Sequence, residues 1–185
     1  MVWLQLTQIK ALRNKTKVLK RVVDENIDIN IETVTALSNI DSIIDTFEGV
    51  VHGIVFGRVD FTLSANLSRN QILDPFVCDA AIKVSSICKE HNLEFVLGGG
   101  VSVDSIDFLR ELSDIRLDRF ETRKCILDTA VLFKPNITNI LQNCVLAELL
   151  WLKSKSSSYL QASNEDQQNA RTHLPIHTNV FFNTF

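Results

Sequence analysis

No acidic side chain occurs before Asp24, and over that stretch every charge is basic. Glycine is scarce as well: all six glycines fall between Gly49 and Gly100. Aromatic residues make up only 8% of the chain. Apolar runs are interrupted by charges well short of the roughly 20 residues that a helical membrane span needs, so no membrane span is expected. The four cysteines, Cys78, Cys88, Cys125 and Cys144, have neither paired CxxC spacing nor the density of a small secreted disulfide scaffold. They read as reduced, mostly buried thiols, and the wide spacing argues against structural zinc. His173 and His177 are four apart, but Pro175 stands between them and breaks the helix that would present both on one face. A net charge of -3 gives no general reason to expect a nucleic-acid partner.

What is present is an ordinary globular composition, 45% hydrophobic and 22% charged in 185 residues, which fits a cytoplasmic protein with a single main domain. The opening segment, residues 1–25, repeats Leu6, Ile9, Leu12, Leu19 and Val22 with Lys and Arg between them. That pattern predicts an amphipathic helix whose basic side is either a solvated face or an organellar targeting presequence. In "NIDINIETVTALSNIDSIIDTF" the alternation Ile27, Ile29, Ile31 predicts a strand, and the period then turns helical at Val34, Leu37, Ile40, Ile43 and Ile44. Glu32 stands at the change of period.

A second strand, "VVHGIVFG", is apolar enough to be buried on both faces, and Asp60 follows its end. A polar loop with Asn66, Ser68 and Asn70 leads to a helix with Pro75 in its first turn. "EFVL" predicts a third strand, closed by Gly98, Gly99 and Gly100, before a helix with Ser102 as candidate N-cap. "IRLDRF" is a weaker fourth strand, with Arg119, Glu121 and Arg123 at or after its end. Residues 134–160 read as a C-terminal helix and 161–185 as a poorly ordered tail.

Strands alternating with helices predict an α/β fold with a parallel sheet. Ligands of such folds gather at the carboxyl ends of the strands, where Glu32, Asp60, the triple glycine and the Arg119 to Arg123 segment would meet. Two carboxylates from neighbouring strand ends can share one hard divalent cation, Mg2+ or Mn2+, or they can be plain capping and loop groups. Arg58 is either a contact for an anionic substrate or an ion-paired group. The glycine run is either a tight turn or a place for phosphate or CoA to approach. His52 reads as a core or interface histidine.

The motifs "INIETVTALSNIDSII", "GIVFGRVDFTLS", "LGGGVSVDSIDFL" and "LDRFETRKCILD", in this order, resemble those of the HpcH/HpaI aldolase and citrate lyase beta-subunit family of metal-dependent carbon-carbon lyases. The resemblance covers about Ile27 to Asp128. It implies a TIM (β/α)8-type barrel of which residues 26–133 supply four βα units, a half barrel. It implies Glu32 and Asp60 as metal ligands, and backbone amides of Val59 and Asp60 that hold the carboxylate of a 2-oxo acid or an acyl-CoA-type substrate. The family's enolate-stabilising arginine and its histidine base come from earlier strands that have no counterpart here. The chain therefore reads as a lyase that works as a homo-oligomer or with a complementing half-barrel chain, or as an inactive remnant or partner subunit.

Overall fold

The computed structural model describes residues 27–173, with side chains through residue 159; the basic segment expected over residues 1–25 lies outside them. The chain divides into two compact units between Val145 and Leu146. The first is α/β. Its elements run β1 (Asp28–Ile31), α1 (Val34–Ser38), α2 (Ile40–Phe47), β2 (Gly53–Gly57), α3 (Arg58–Ser64), α4 (Pro75–Glu90), β3 (Glu94–Gly98), α5 (Ile106–Ile115), β4 (Arg119–Glu121) and β5 (Ile126–Asp128), followed by the start of α6 (Ile137–His173). Short 3-10 turns occupy Arg69–Gln71, Val103–Ser105 and Thr129–Phe133.

The sheet has the order β1-β2-β3-β4-β5. Its first four strands are parallel, as the alternation of strands and helices predicts, and β5 turns back antiparallel on β4. This fifth strand was not expected from the sequence. "ILD" is only three residues long, too short for a period-2 signal to emerge.

Register explains why the strands are so apolar. Ile29, Ile54 and Phe95 form one row across the sheet, and Ile31, Phe56, Leu97 and Phe120 form the next row on the same face. Ile31, Phe56, Leu97 and Phe120 are all fully buried in the core shared with Val84 of α4 and Leu109 of α5. Full burial of one such side chain stabilises the fold by about 1.5–3 kcal/mol.

The opposite face is not the second apolar layer that the sequence suggests. It presents Asp28, Gly53 and Glu94, then Asn30, Val55, Val96 and Arg119, then Gly57 and Gly98 with Glu32 and Glu121 beside them. Strand alternation places these on one side. Arg119 is half-buried and spans the amino-terminal end of this face, with Nη2 3.2 Å from Asp28 Oδ2 and 2.6 Å from Glu94 Oε2. Asp118 joins the same region to the ladder by accepting from the Phe95 N–H at 2.8 Å and from Arg116 Nε at 2.7 Å.

The helix ends follow local chemistry. Thr33 caps α1 by accepting from the Ala36 N–H at 3.0 Å. Asp74 caps α4, with Pro75 in the first turn as predicted. Ser102 begins the Val103–Ser105 turn rather than α5 itself. Directly after β2 the structure has a helix, α3, for which the sequence pattern predicts no element. Phe61 drives it: its ring is fully buried and packs on Phe56 with centroids 4.9 Å apart.

The second unit contains the rest of α6. The helix starts close to the expected position but continues through His173, past the predicted end at Leu160. Its later stretch, "QASNEDQQNARTH", is polar but rich in Gln, Ala, Glu and Arg, which have good helix propensity, so polarity alone misleads here. Among the described residues, no helix is long and apolar enough to cross a membrane.

Candidate functional site

Glu32 is the first residue past β1 and lies beside Gly57, the last residue of β2. Its carboxylate leans across the sheet into the space that this glycine leaves empty. A Cβ built on Gly57 would lie 2.8 Å from Glu32 Cγ and 2.9 Å from Glu32 Oε1. The Asn30 amide donates to the same Oε1 at 3.2 Å.

The mirror arrangement comes from the other side of the sheet. Glu121 ends β4, and its Oε1 lies 2.7 Å from where a Cβ on Gly98 would be. Gly57 and Gly98 are register partners on adjacent strands, and adjacent strands are about 4.8 Å apart. Two glutamates therefore face one another over a floor of two glycines. Burial pushes the Glu121 carboxyl above the usual glutamate range; nearby Arg119 opposes that rise and the Glu32 charge adds to it.

Asp60 lies three residues past Gly57, in the first turn of α3, and is half-buried. Two contacts fix α3 relative to the Glu32 loop. Phe61 is anchored in the core, and Ser64 Oγ accepts from the Val34 N–H at 3.0 Å while donating to the Phe61 carbonyl at 2.8 Å. The hydroxyl of "DFTLS" thus ties the turn after β1 to the helix after β2. The structure brings Glu32 and Asp60 to one end of the sheet, and it adds Glu121 to them. Position along the strands reveals Glu121 as a charge near an end, but only the folded sheet shows that it stands over Gly98 next to the Gly57 that Glu32 covers.

Gly99 and Gly100 have φ of +84° and +68°, a conformation that other residues rarely adopt, so the glycine run is a tight turn. A Cβ on Gly99 would sit 2.7 Å from the Val59 nitrogen and 2.8 Å from the Arg58 nitrogen. Only glycine lets the turn pass this close to the two backbone nitrogens at the start of α3.

The sequence suggests a contact for an anionic substrate or an ion-paired group, but among the described residues Arg58 is neither free to make that contact nor ion-paired. Its side chain is fully buried and donates from Nη2 to Ser105 Oγ at 3.1 Å, while Nε and Nη1 have no hydrogen-bond partner. Burial pushes the guanidinium down to about 10, partly offset by the neighbouring Cys78, so it is still a cation at neutral pH. What Arg58 offers the strand-end opening is its backbone nitrogen. Arg119 also moves out of the expected cluster, because its guanidinium reaches the amino-terminal end of the sheet. His52 lies at that same far end, with Nδ1 3.6 Å from Glu94 Oε2, which agrees with a structural histidine.

Whether these residues fit a divalent cation follows from the donor set and the glycine floor. Among the described residues, no three His, Cys, Asp or Glu side chains are grouped so as to hold a metal ion. Glu32 and Asp60 supply carboxylate oxygens only, which suits a hard cation such as Mg2+ that keeps several waters and substrate oxygens in its shell. Gly57 leaves the cradle in which the Glu32 carboxylate lies. The two carboxylates are of the donor type that such an ion takes.

No family model matches the chain, and no curated protein matches it. Among solved structures it is similar to the crystal structure of RipC from Yersinia pestis, at 17% identity and a TM-score of 0.49. That similarity covers 69% of this chain and 62% of the RipC chain, so the match spans less than two thirds of the RipC chain.

Proposed function

We propose that this chain carries half of a (β/α)8-type barrel and acts as a metal-dependent carbon-carbon lyase on a 2-oxo acid or an acyl-CoA-type substrate. The observation that carries the reading is the carboxyl edge of the parallel sheet, where Glu32 leans over Gly57 and Asp60 follows in the next turn. The resemblance of the four motifs to the aldolase and citrate lyase family supports the same residues.

In this reading Glu32 and Asp60 hold Mg2+ or Mn2+. When bound, such an ion polarises the substrate's carbonyl oxygen and stabilises the negative charge that develops as the carbon-carbon bond breaks. The chain's own part is positional. Gly57 admits the Glu32 carboxylate, and the Asn30 amide holds it by its hydrogen bond. Ser64 and buried Phe61 fix α3, and with it Asp60. The Val59 and Asp60 amides, in the first turn of α3, hold the substrate carboxylate. Fully buried and cationic, Arg58 adds a fixed positive charge behind those amides.

A second reading, a partner subunit or inactive remnant, is favoured by the polar sheet face on which Asp28, Glu94, Asn30, Glu32 and Glu121 stand. In a complete barrel this face lines the interior, and a complementing half-barrel chain or a second copy would supply the missing strands.

Isothermal titration with Mg2+ and Mn2+ tests the first reading. Saturable binding is expected in the full chain and its loss in Asp60→Ala; binding unchanged in that variant removes the site. Cleavage of 2-hydroxy acid or citramalyl-type substrates by the purified chain alone would overturn the second reading.

A further inference from the structure

From Leu146 to Tyr159, α6 belongs to the second compact unit, and every residue of this stretch except Glu148 is exposed. Six of these residues are large and apolar: Leu146, Leu149, Leu150, Trp151, Leu152 and Tyr159, between 38% and 66% exposed. Scattered single apolar residues on a surface need no explanation, but a run of this kind marks an interaction surface. The backbone has little reason to be helical on its own account. Ser154, Ser156, Ser157 and Ser158 are weak helix formers. The Ser157 and Ser158 hydroxyls donate back to the Lys153 and Ser154 carbonyls at 3.0 Å, which slightly loosens a helix. A helix of this composition draws its stability from the packing of its apolar face.

We propose that this stretch pairs with the same stretch of a second copy of the chain, as a short parallel two-stranded coiled coil. Leu149 and Leu152 occupy successive a and d positions of a heptad frame, with Ser156 and Tyr159 at the next a and d. In the same frame Glu148 falls at g and Lys153 at e. The g residue of one parallel helix meets the following e residue of its partner, so two-fold symmetry sets Glu148 of each copy against Lys153 of the other. The stretch is thus complementary in charge to itself, which selects a second copy as the occupant. Lys155 is engaged on its own helix: its Nζ lies 5.4 Å from the Trp151 ring centroid and 5.2 Å from that of Tyr159, and it donates to the Tyr159 hydroxyl at 3.2 Å. That engagement disfavours an antiparallel pair, in which Glu148 would have to meet Lys155 instead.

Ser156 is the one polar residue in the seam between Leu149 and Tyr159. A polar a position fixes register at a cost in stability, so the dimer forms reversibly with concentration. The pairing gives a homo-oligomer of the proposed lyase its contact surface. It uses no residue of the cation site, so the two readings succeed or fail separately when the association is measured without metal.

Analytical ultracentrifugation of the full chain in EDTA tests the proposal. The expected result is a reversible monomer to dimer equilibrium, abolished when Leu149→Asp and Leu152→Asp are combined. Lys153→Glu and Glu148→Lys should each raise the dissociation constant about tenfold, because each sets like charges against one another at two symmetric contacts. Combining Glu148→Lys with Lys153→Glu should restore the wild-type constant. The two positions are five apart and are not neighbours on one helix, so the rescue reports a contact between copies. A monomer at every concentration, a dimer that survives the two aspartates, or charge variants without rescue would overturn the proposal. So would a monomer that sediments with phosphatidylserine vesicles through the same leucines.

Discussion

Replacing Gly57 with alanine separates the candidate site from the stability of the fold. The new Cβ would lie 2.8 Å from Glu32 Cγ and 2.9 Å from its Oε1, closer than van der Waals contact allows. Both atoms belong to a flexible side chain, so Glu32 can swing away. An off-rotamer adjustment costs about 0.5–1.5 kcal/mol. Gly57 has φ of -88°, which alanine adopts freely, and the less flexible unfolded chain returns about 0.4–1 kcal/mol. The two nearly cancel, so Tm should move by no more than about 4 °C. The carboxylate, however, leaves its place, and misdirecting a metal ligand or its support typically weakens affinity about 10–100-fold. Gly53→Ala is the control on the same strand: its Cβ would meet the Glu94 carbonyl oxygen at 2.8 Å, and backbone cannot swing aside. It should cost about 1–3 kcal/mol and leave cation affinity unchanged. Paired thermal melts and calorimetric Mg2+ titrations measure both effects. Unaltered Mg2+ affinity in Gly57→Ala, with wild-type Tm, would refute the placement of Glu32.

Other perturbations have definite signs. Arg58→Met removes a buried cation with two unpartnered donors and should leave stability unchanged or raise it by about 1–4 kcal/mol in urea unfolding. Because the folded-state value near 10 lies below the ordinary arginine range, the cost of burying this charge is complete below about pH 10. It fades as pH rises from there toward the ordinary range, so the advantage of the variant must shrink over that interval. Glu121→Gln should raise Tm at pH 7, because burial disfavours the charged form of this carboxyl. That gain should vanish as pH falls through the ordinary glutamate range, where both folded and unfolded wild-type chains are protonated. Asp118→Ala strands the Phe95 N–H and Arg116 Nε and should lose about 1–3 kcal/mol by denaturant titration.

The alternation of Ile27, Ile29 and Ile31, the apolar run that ends β2, and Pro75 in the first turn of α4 were legible because they are local. Phe61 shows why α3 was not. Its neighbours in sequence are polar, and its reason for being helical is a contact with Phe56. The polar face of the sheet was hidden for a similar reason. Val55 and Val96 keep β2 and β3 apolar in sequence, and only register lines them up with Asn30 and Arg119. Glu32 and Asp60 could be picked out by position alone. The fate of Arg58, buried against Ser105 forty-seven positions away, depends on tertiary packing that no short window contains.

The central claim is that a divalent cation binds between the ends of β1 and β2. Paramagnetic broadening by Mn2+ locates it directly, because the effect falls steeply with distance and β2 has a glycine at each end. Adding Mn2+ at a small fraction of the protein concentration should erase the amide signals of Gly57, Asp60 and Gly98 in a 1H-15N spectrum. Gly53, more than 10 Å along the same strand at about 3.3 Å per residue, should stay sharp. Broadening centred on Gly53, Asp28 and Glu94, or no selective loss at all, would contradict the account.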